Sequence, residues 1–156
     1  MTTITYQPID KQTATQLRNG GLDANGQIPE RQVSDGGGNP CRCCLCDVPK
    51  GAQMLVLAHR PFATINPYAE TGPIFLCADD CSPWSGQGLP PIFLTSPDYL
   101  LKAYTPDERI KYGTGQITAS ADIAAYASDL LARDDIAFVD VRSARNNCYQ
   151  ARIVRS

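Results

Sequence analysis

The stretch that decides the fold is residues 120–154, SADIAAYASDLLARDDIAFVDVRSARNNCYQARIV. Its first half sets Ile123, Ala124, Tyr126, Ala127, Leu130 and Leu131 on one continuous apolar stripe, which predicts a helix over 120–133. Residues 136–141 and 148–154 then read as two strands. Asn146-Asn147 lies between them, and asparagine suits such a turn because it tolerates positive φ. A helix followed at once by an antiparallel pair predicts an α+β fold, with a mostly antiparallel sheet packed against one main helix.

Working outward, residues 54–58 and 73–77 are short apolar runs bounded by turn chemistry, each the length of a buried strand. Residues 3–8 alternate weakly and read as a first strand. Residues 99–104 and 109–112 read as a hairpin around Thr105-Pro-Asp-Glu. Asp10 is placed to cap a short helix through Arg18, with Gly20-Gly21 as its stop, although only Ala14 and Leu17 give it an apolar face. Residues 23–40 are rich in Gly, Asn, Gln and Pro and read as a long loop or mobile arm. The expectation is therefore a single domain over residues 1–156, with 1–39 a less ordered N-terminal arm, 40–156 the core, and a cysteine-rich loop where the arm ends.

The 156 residues are 43% hydrophobic and 19% charged, which describes a globular chain able to bury an ordinary core. A net charge of −2 gives no long-range signal for nucleic acid or membrane. The N-terminus lacks the basic start and apolar run of a signal peptide, and no stretch approaches the roughly 18 apolar residues of a membrane span. These features point to the cytoplasm, where thiols stay reduced.

That setting gives meaning to the seven cysteines. Six are clustered: Cys41, Cys43, Cys44 and Cys46, then Cys77 and Cys81. Two short pairs separated by a longer segment are how a chain presents four thiolates to one tetrahedral zinc ion. The preferred ligands are Cys41, Cys44, Cys77 and Cys81, with Cys43 and Cys46 an equally well-spaced alternative to the first pair. Pro49 and Gly51 follow the cluster and oppose the helix that a thioredoxin-type redox motif needs.

Four segments in order, Pro40-Cys-Arg-Cys-Cys-Leu45, Pro67-Tyr-Ala-Glu70, Gly72-Pro-Ile-Phe-Leu76 and Val141-Arg-Ser-Ala-Arg-Asn-Asn-Cys148, resemble an uncharacterised bacterial family, domain of unknown function 1203. The resemblance runs from about Pro40 to the C-terminus and carries no established activity. It implies a histidine where this chain has Cys77. Since His and Cys are both zinc ligands, that difference suits metal binding. If the family histidine is an acid/base catalyst instead, Cys77 puts that activity in doubt here. Cys43 and Cys46 are additions of this sequence relative to the resemblance.

A second constellation is basic. From Val141 onward there are four arginines and no acidic side chain. Arg42, Arg142, Arg145 and Arg152, with Tyr68 and Glu70, are candidates to line a pocket for a small anionic ligand, because guanidinium forks match carboxylate and phosphate. The only histidine, His59, has no local support as a base for Cys148. The leading functional expectation is a binding or accessory module with structural zinc, with a protein or small anion as partner. A small enzyme acting on an anionic metabolite, and a thiol-based redox or metal sensor using Cys43 and Cys46, are the alternatives.

Overall fold

A computed structural model describes residues 2–156, and these divide into two compact units. The first comprises the N-terminal strand up to Gln7, the loop Pro61–Glu70, and Ser96–Ser156; the second comprises Pro8–Arg60 and Thr71–Thr95.

The first unit is built on a five-stranded antiparallel sheet. Its strands are β1 (Ile4–Gln7), β5 (Asp98–Tyr104), β6 (Gln116–Ala119), β7 (Phe138–Ser143) and β8 (Tyr149–Arg155), in the spatial order β1-β8-β7-β5-β6. Period-two alternation gives the sheet two different faces. Leu101, Ala103, Val139, Val141, Ala151 and Ile153 share one face and are almost completely buried. There α2 (Ile123–Leu131) packs its own buried Ile123, Ala127, Leu130 and Leu131 on the sheet. Each such side chain contributes about 1.5–3 kcal/mol of burial free energy. A 3₁₀ turn, Ser120–Asp122, leads into this helix, so it starts with the apolar stripe at Ile123, three residues after the expected start at Ser120.

The opposite face carries Lys102, Tyr104, Phe138, Asp140, Arg142 and Arg152. The Pro61–Glu70 loop covers it, inserting Phe62 against Tyr104 and Phe138 at ring-centroid distances of 5.4 and 6.5 Å. Asn147 adopts φ +59° in the β7–β8 turn, as the Asn-Asn reading predicts. The ladder slips between Val141 and Arg142, a bulge at the position that aims Arg142.

The second unit holds a three-stranded antiparallel sheet, β2 (Glu30–Val33), β3 (Gln53–His59) and β4 (Gly72–Cys77), and the helix α1 (Lys11–Arg18). Asp10 caps α1, its carboxylate accepting the Thr13 N–H at 2.6 Å. Leu55, Leu57, Ile74 and Leu76 form one buried apolar side of β3 and β4, and Met54 is buried on the other.

The α+β class, the antiparallel pairing and one main helix are as predicted, with the strands divided between two sheets. Two local expectations differ. Residues 23–40, read as a long loop or mobile arm, contain β2, which pairs with β3 although all four of its residues are exposed, while β1 and α1 fall where a strand over 3–8 and a helix through Arg18 were read. Ser34 and Asn39, both buried, tie the following loop to the chain through Ser34 Oγ–Val48 O and Asn39 Nδ2–Ser34 Oγ bonds of 2.8 and 3.0 Å. Residues 109–112 do not form the second strand of a hairpin: only Ile110 bridges Tyr104, the Thr114 hydroxyl takes the Ala103 N–H, and the hairpin partner is β6.

Candidate functional site

The second unit brings four thiols together. Cys41 and Cys44 lie on a tight knuckle closed by Cys41 N–Cys46 O and Leu45 N–Cys41 O bonds, both 3.0 Å, and by a Pro40–Asp47 bridge. Leu45 turns the chain with φ +54°, an uncommon conformation for a bulky side chain. Its side chain is fully buried, so packing holds it there. The knuckle is stitched to β4 by the Cys41–Phe75 bridge and an Arg42 N–Phe75 O bond of 3.1 Å, and β4 ends in Cys77. Residues 78–81 then carry Cys81 back over Cys41.

The sulfurs of Cys41, Cys44, Cys77 and Cys81 all lie within 4.8 Å of one another. Cys41–Cys81 and Cys44–Cys77 are 3.9 and 4.0 Å apart. Four sulfurs about 2.3 Å from one zinc stand about 3.8 Å from each other, so the thiols have the spacing of a tetrahedral metal centre and not that of disulfides. The thiols as they stand are electrostatically crowded. Hydrogen bonds from Cys44 and Cys77 hold the Cys41 thiol far below its ordinary value. The same contacts with Cys41 push Cys44 up, and push Cys77 up to about 12. Four thiolates this close require a cation among them.

Two N–H groups already point at sulfur: the Cys77 amide donates to Cys41 Sγ at 3.2 Å, and Arg18 Nη2 to Cys81 Sγ at 3.0 Å. Arg18 also donates from Nε to Cys77 O at 2.9 Å and is 7% exposed. It reaches the cluster from the last turn of α1, whose first turn is tied to the same loop by a Lys11–Asp80 ion pair. Sequence reasoning missed Arg18, since nothing in a polar helix face marks one arginine as a partner of distant cysteines. Of the alternative pair, Cys43 is buried, and burial, its largest perturbation, pushes its thiol up to about 12. Cys43 and Cys46 are not among the four gathered sulfurs.

The basic constellation divides. Glu70 and Arg142 meet in the first unit, Oε2 lying 3.3 Å from Nη1. Tyr68 bonds Tyr112 hydroxyl to hydroxyl at 3.1 Å under the guanidinium of Arg109. Arg145 pairs with Asp98 at 3.0 Å on the surface. Arg42 belongs to the second unit, where it is buried, lies over the Phe75 ring and donates to Pro40 O at 2.6 Å. Its spacing in the sequence marks it as basic, but packing on Phe75 gives it a local task. Around Glu70 and Arg142 the structure supplies residues the sequence reading did not select: Lys102, Tyr104 and Asp140.

Among the described residues, no helix is long and apolar enough to cross a membrane. No curated protein and no solved structure matches the chain. A family model described as "Protein of unknown function (DUF1203)" matches residues 38–155, a span that contains both the thiol cluster and the Glu70–Arg142 contact. With most of its length matched, the chain belongs to the DUF1203 family.

Proposed function

We propose that Cys41, Cys44, Cys77 and Cys81 hold one zinc ion as a structural centre, and that the protein is a binding or accessory module organised around it. The observation that carries the reading is the packing of four sulfurs within 4.8 Å, with two pairs near the edge length of a zinc–thiolate tetrahedron. Four thiolates complete the coordination sphere and leave no position for a water nucleophile, which favours a structural over a hydrolytic role. The ion links three pieces of chain: the knuckle, the end of β4 and the loop through Cys81. An all-sulfur set selects thiophilic ions over magnesium or calcium.

The test is elemental analysis of the purified full chain with a free-thiol count on the same sample. About one zinc per chain, with these four thiols protected from alkylation and released by a chelator, is the expected result. Seven reactive thiols and no metal after purification under reducing, zinc-replete conditions would overturn it. Loss of two protons from a thiol pair under mild oxidant, with no metal released, would instead favour the sensor reading.

A further inference from the structure

The charged face of the five-stranded sheet is costly in a way the fold does not explain. Asp140 is completely buried, the Arg142 side chain is 5% exposed, and Lys102 and Arg152 are 13% and 15% exposed. Desolvating so many charges commonly exceeds what their attraction returns, and apolar residues of similar volume would hold a sheet as well or better. Such a cluster marks a place where charge is used.

The pairing within it is uneven. Asp140 is engaged through both oxygens by Arg152, at 2.8 and 3.1 Å. Glu108, the other nearby acid, accepts the backbone N–H groups of Ala63 and Thr64. Arg142 and Lys102 are left to share the single carboxylate of Glu70, at 3.3 and 3.1 Å. Arg142 spends only Nη1 on that contact and on Asn147 O; its Nε and Nη2 are buried with no partner among the described residues. Tyr104 Oη is buried beside Arg142, and neither it nor the guanidinium's free edge makes a hydrogen bond of normal geometry. A guanidinium with one edge free, next to an ammonium, is a donor set built for a planar oxyanion.

Glu70 is the exposed member. Its side chain is 36% accessible, it sits at the end of the covering loop, and its third contact, from Asn147 Nδ2, is long at 3.5 Å. It therefore lies between the cations and solvent, tethered by its own backbone in a geometry that leaves the arginine fork unused.

We propose that Arg142 and Lys102 form a binding site for a small carboxylate-bearing molecule, and that the Glu70 side chain occupies this position from the covering loop until such a ligand displaces it. The ligand's carboxylate takes two parallel bonds from the guanidinium and one from the Lys102 ammonium, while Glu70 turns outward to solvent. The bulge at Val141/Arg142 serves to aim the guanidinium. This site is independent of the thiol cluster.

The experiment is an NMR titration of the full, metal-replete chain with acetate, the smallest group of this chemistry, against sodium chloride at matched ionic strength. The reporter is the Arg142 Nε–Hε resonance, assigned by its loss in Arg142→Lys, or by through-bond connectivity should that variant not fold. Acetate should shift it saturably, and chloride should not. Glu70→Gln removes the competing carboxylate and should tighten binding on the order of tenfold, the factor expected when an occluded site is open about a tenth of the time. Lys102→Met should weaken binding about as much. An identical shift with chloride, no saturable shift in either wild type or Glu70→Gln, or affinity unchanged in Lys102→Met would each overturn the proposal. So would saturation by inorganic phosphate without any by acetate.

Discussion

Arg18→Met tests whether the thiol cluster is a metal–thiolate centre or four cysteines packed for shape. Methionine keeps the length and apolar stem of arginine but removes the charge and every donor. Three contacts are lost: Nη2 to Cys81 Sγ at 3.0 Å, Nε to Cys77 O at 2.9 Å, and the Nη1 ion pair with the exposed Asp80 at 3.4 Å, which solvent screens in both forms. They differ in what they need. The bond to the Cys77 carbonyl exists whether or not metal is bound, so its loss costs stability in both forms and cancels from the metal affinity. The bond to sulfur strengthens only when Cys81 is a thiolate, and a divalent ion with four thiolates carries a net charge of −2 that a guanidinium 93% out of solvent partly neutralises. Hydrogen bonds to charged groups are worth about 1.5–3 kcal/mol, and residues behind metal ligands typically contribute about 10–100-fold in affinity, or roughly 1.4–2.8 kcal/mol. Arg18→Met should therefore weaken zinc binding about thirtyfold, measured by competition with a chromogenic chelator at pH 7. Arg18→Lys, with the charge but without the fork, should fall between. Wild-type affinity in Arg18→Met, alongside loss of zinc in Cys81→Ser, would refute the charge argument.

Other perturbations separate the remaining parts. Cys77→Ser should leave the chain without stoichiometric zinc, whereas Cys46→Ser should retain about one ion, both read by elemental analysis. Asp140→Asn leaves Arg152 buried without its carboxylate and should cost about 3–5 kcal/mol in urea denaturation, where a surface change such as Asp98→Asn should cost under about 0.5 kcal/mol. Burial pushes the Glu108 carboxyl up, but the Thr64 and Ala63 N–H groups outweigh it and hold its folded pKa below the ordinary 4.5. Its contribution is accordingly complete above the unfolded value and lost as pH falls through the depressed folded one. The stability gap between wild type and Glu108→Gln should be full at pH 7 and close progressively below about pH 4.5, as followed by denaturation at stepped pH.

Legibility in the sequence tracked the strength of the local signal. The α2 stripe, the runs that became β3 and β4, and the Asn turn before β8 each carry an apolar or φ-dependent pattern that survives without neighbours. β2 and β6 carry none. Glu30–Val33 is exposed throughout, and in Gln116–Ala119 only Thr118 is buried, so both are strands because a partner offers free backbone groups. The cysteines were legible as pairs but not as a set: two equal spacings compete, and the choice rests on the Leu45 turn and the Cys41–Phe75 bridge, which are tertiary. The buried charges had a usable signal. Lys102, Asp140, Arg142 and Arg152 interrupt apolar strands at alternate positions, which places them together on one face. Reading only the arginines as a group hid that pattern and admitted Arg42 and Arg145, whose partners are local.

The contrast between the two units bears on why the proposed metal centre lies where it does. The first unit packs a helix on a five-stranded sheet and carries a charged face under its covering loop. The second, of the same length, has three strands, an eight-residue helix with only Ala14 and Leu17 buried, and a 3₁₀ turn that buries Ile92 and Phe93. At roughly 80 residues a core alone supplies only a few kcal/mol, so the unit with the smaller sheet gains most from a disulfide or a metal. All seven cysteines are free, and the four that converge are spaced for an ion. They also converge where three separate pieces of chain meet: the knuckle, a strand end and the loop reached by Lys11 and Arg18. A metal there fixes what the sheet cannot reach. Chelation should accordingly raise amide exchange from Pro40 to Cys46 and from Cys77 to Cys81 while β5 and β7 stay protected. Uniform loss of protection across both units would mean that the centre stabilises the whole chain and not this loop junction.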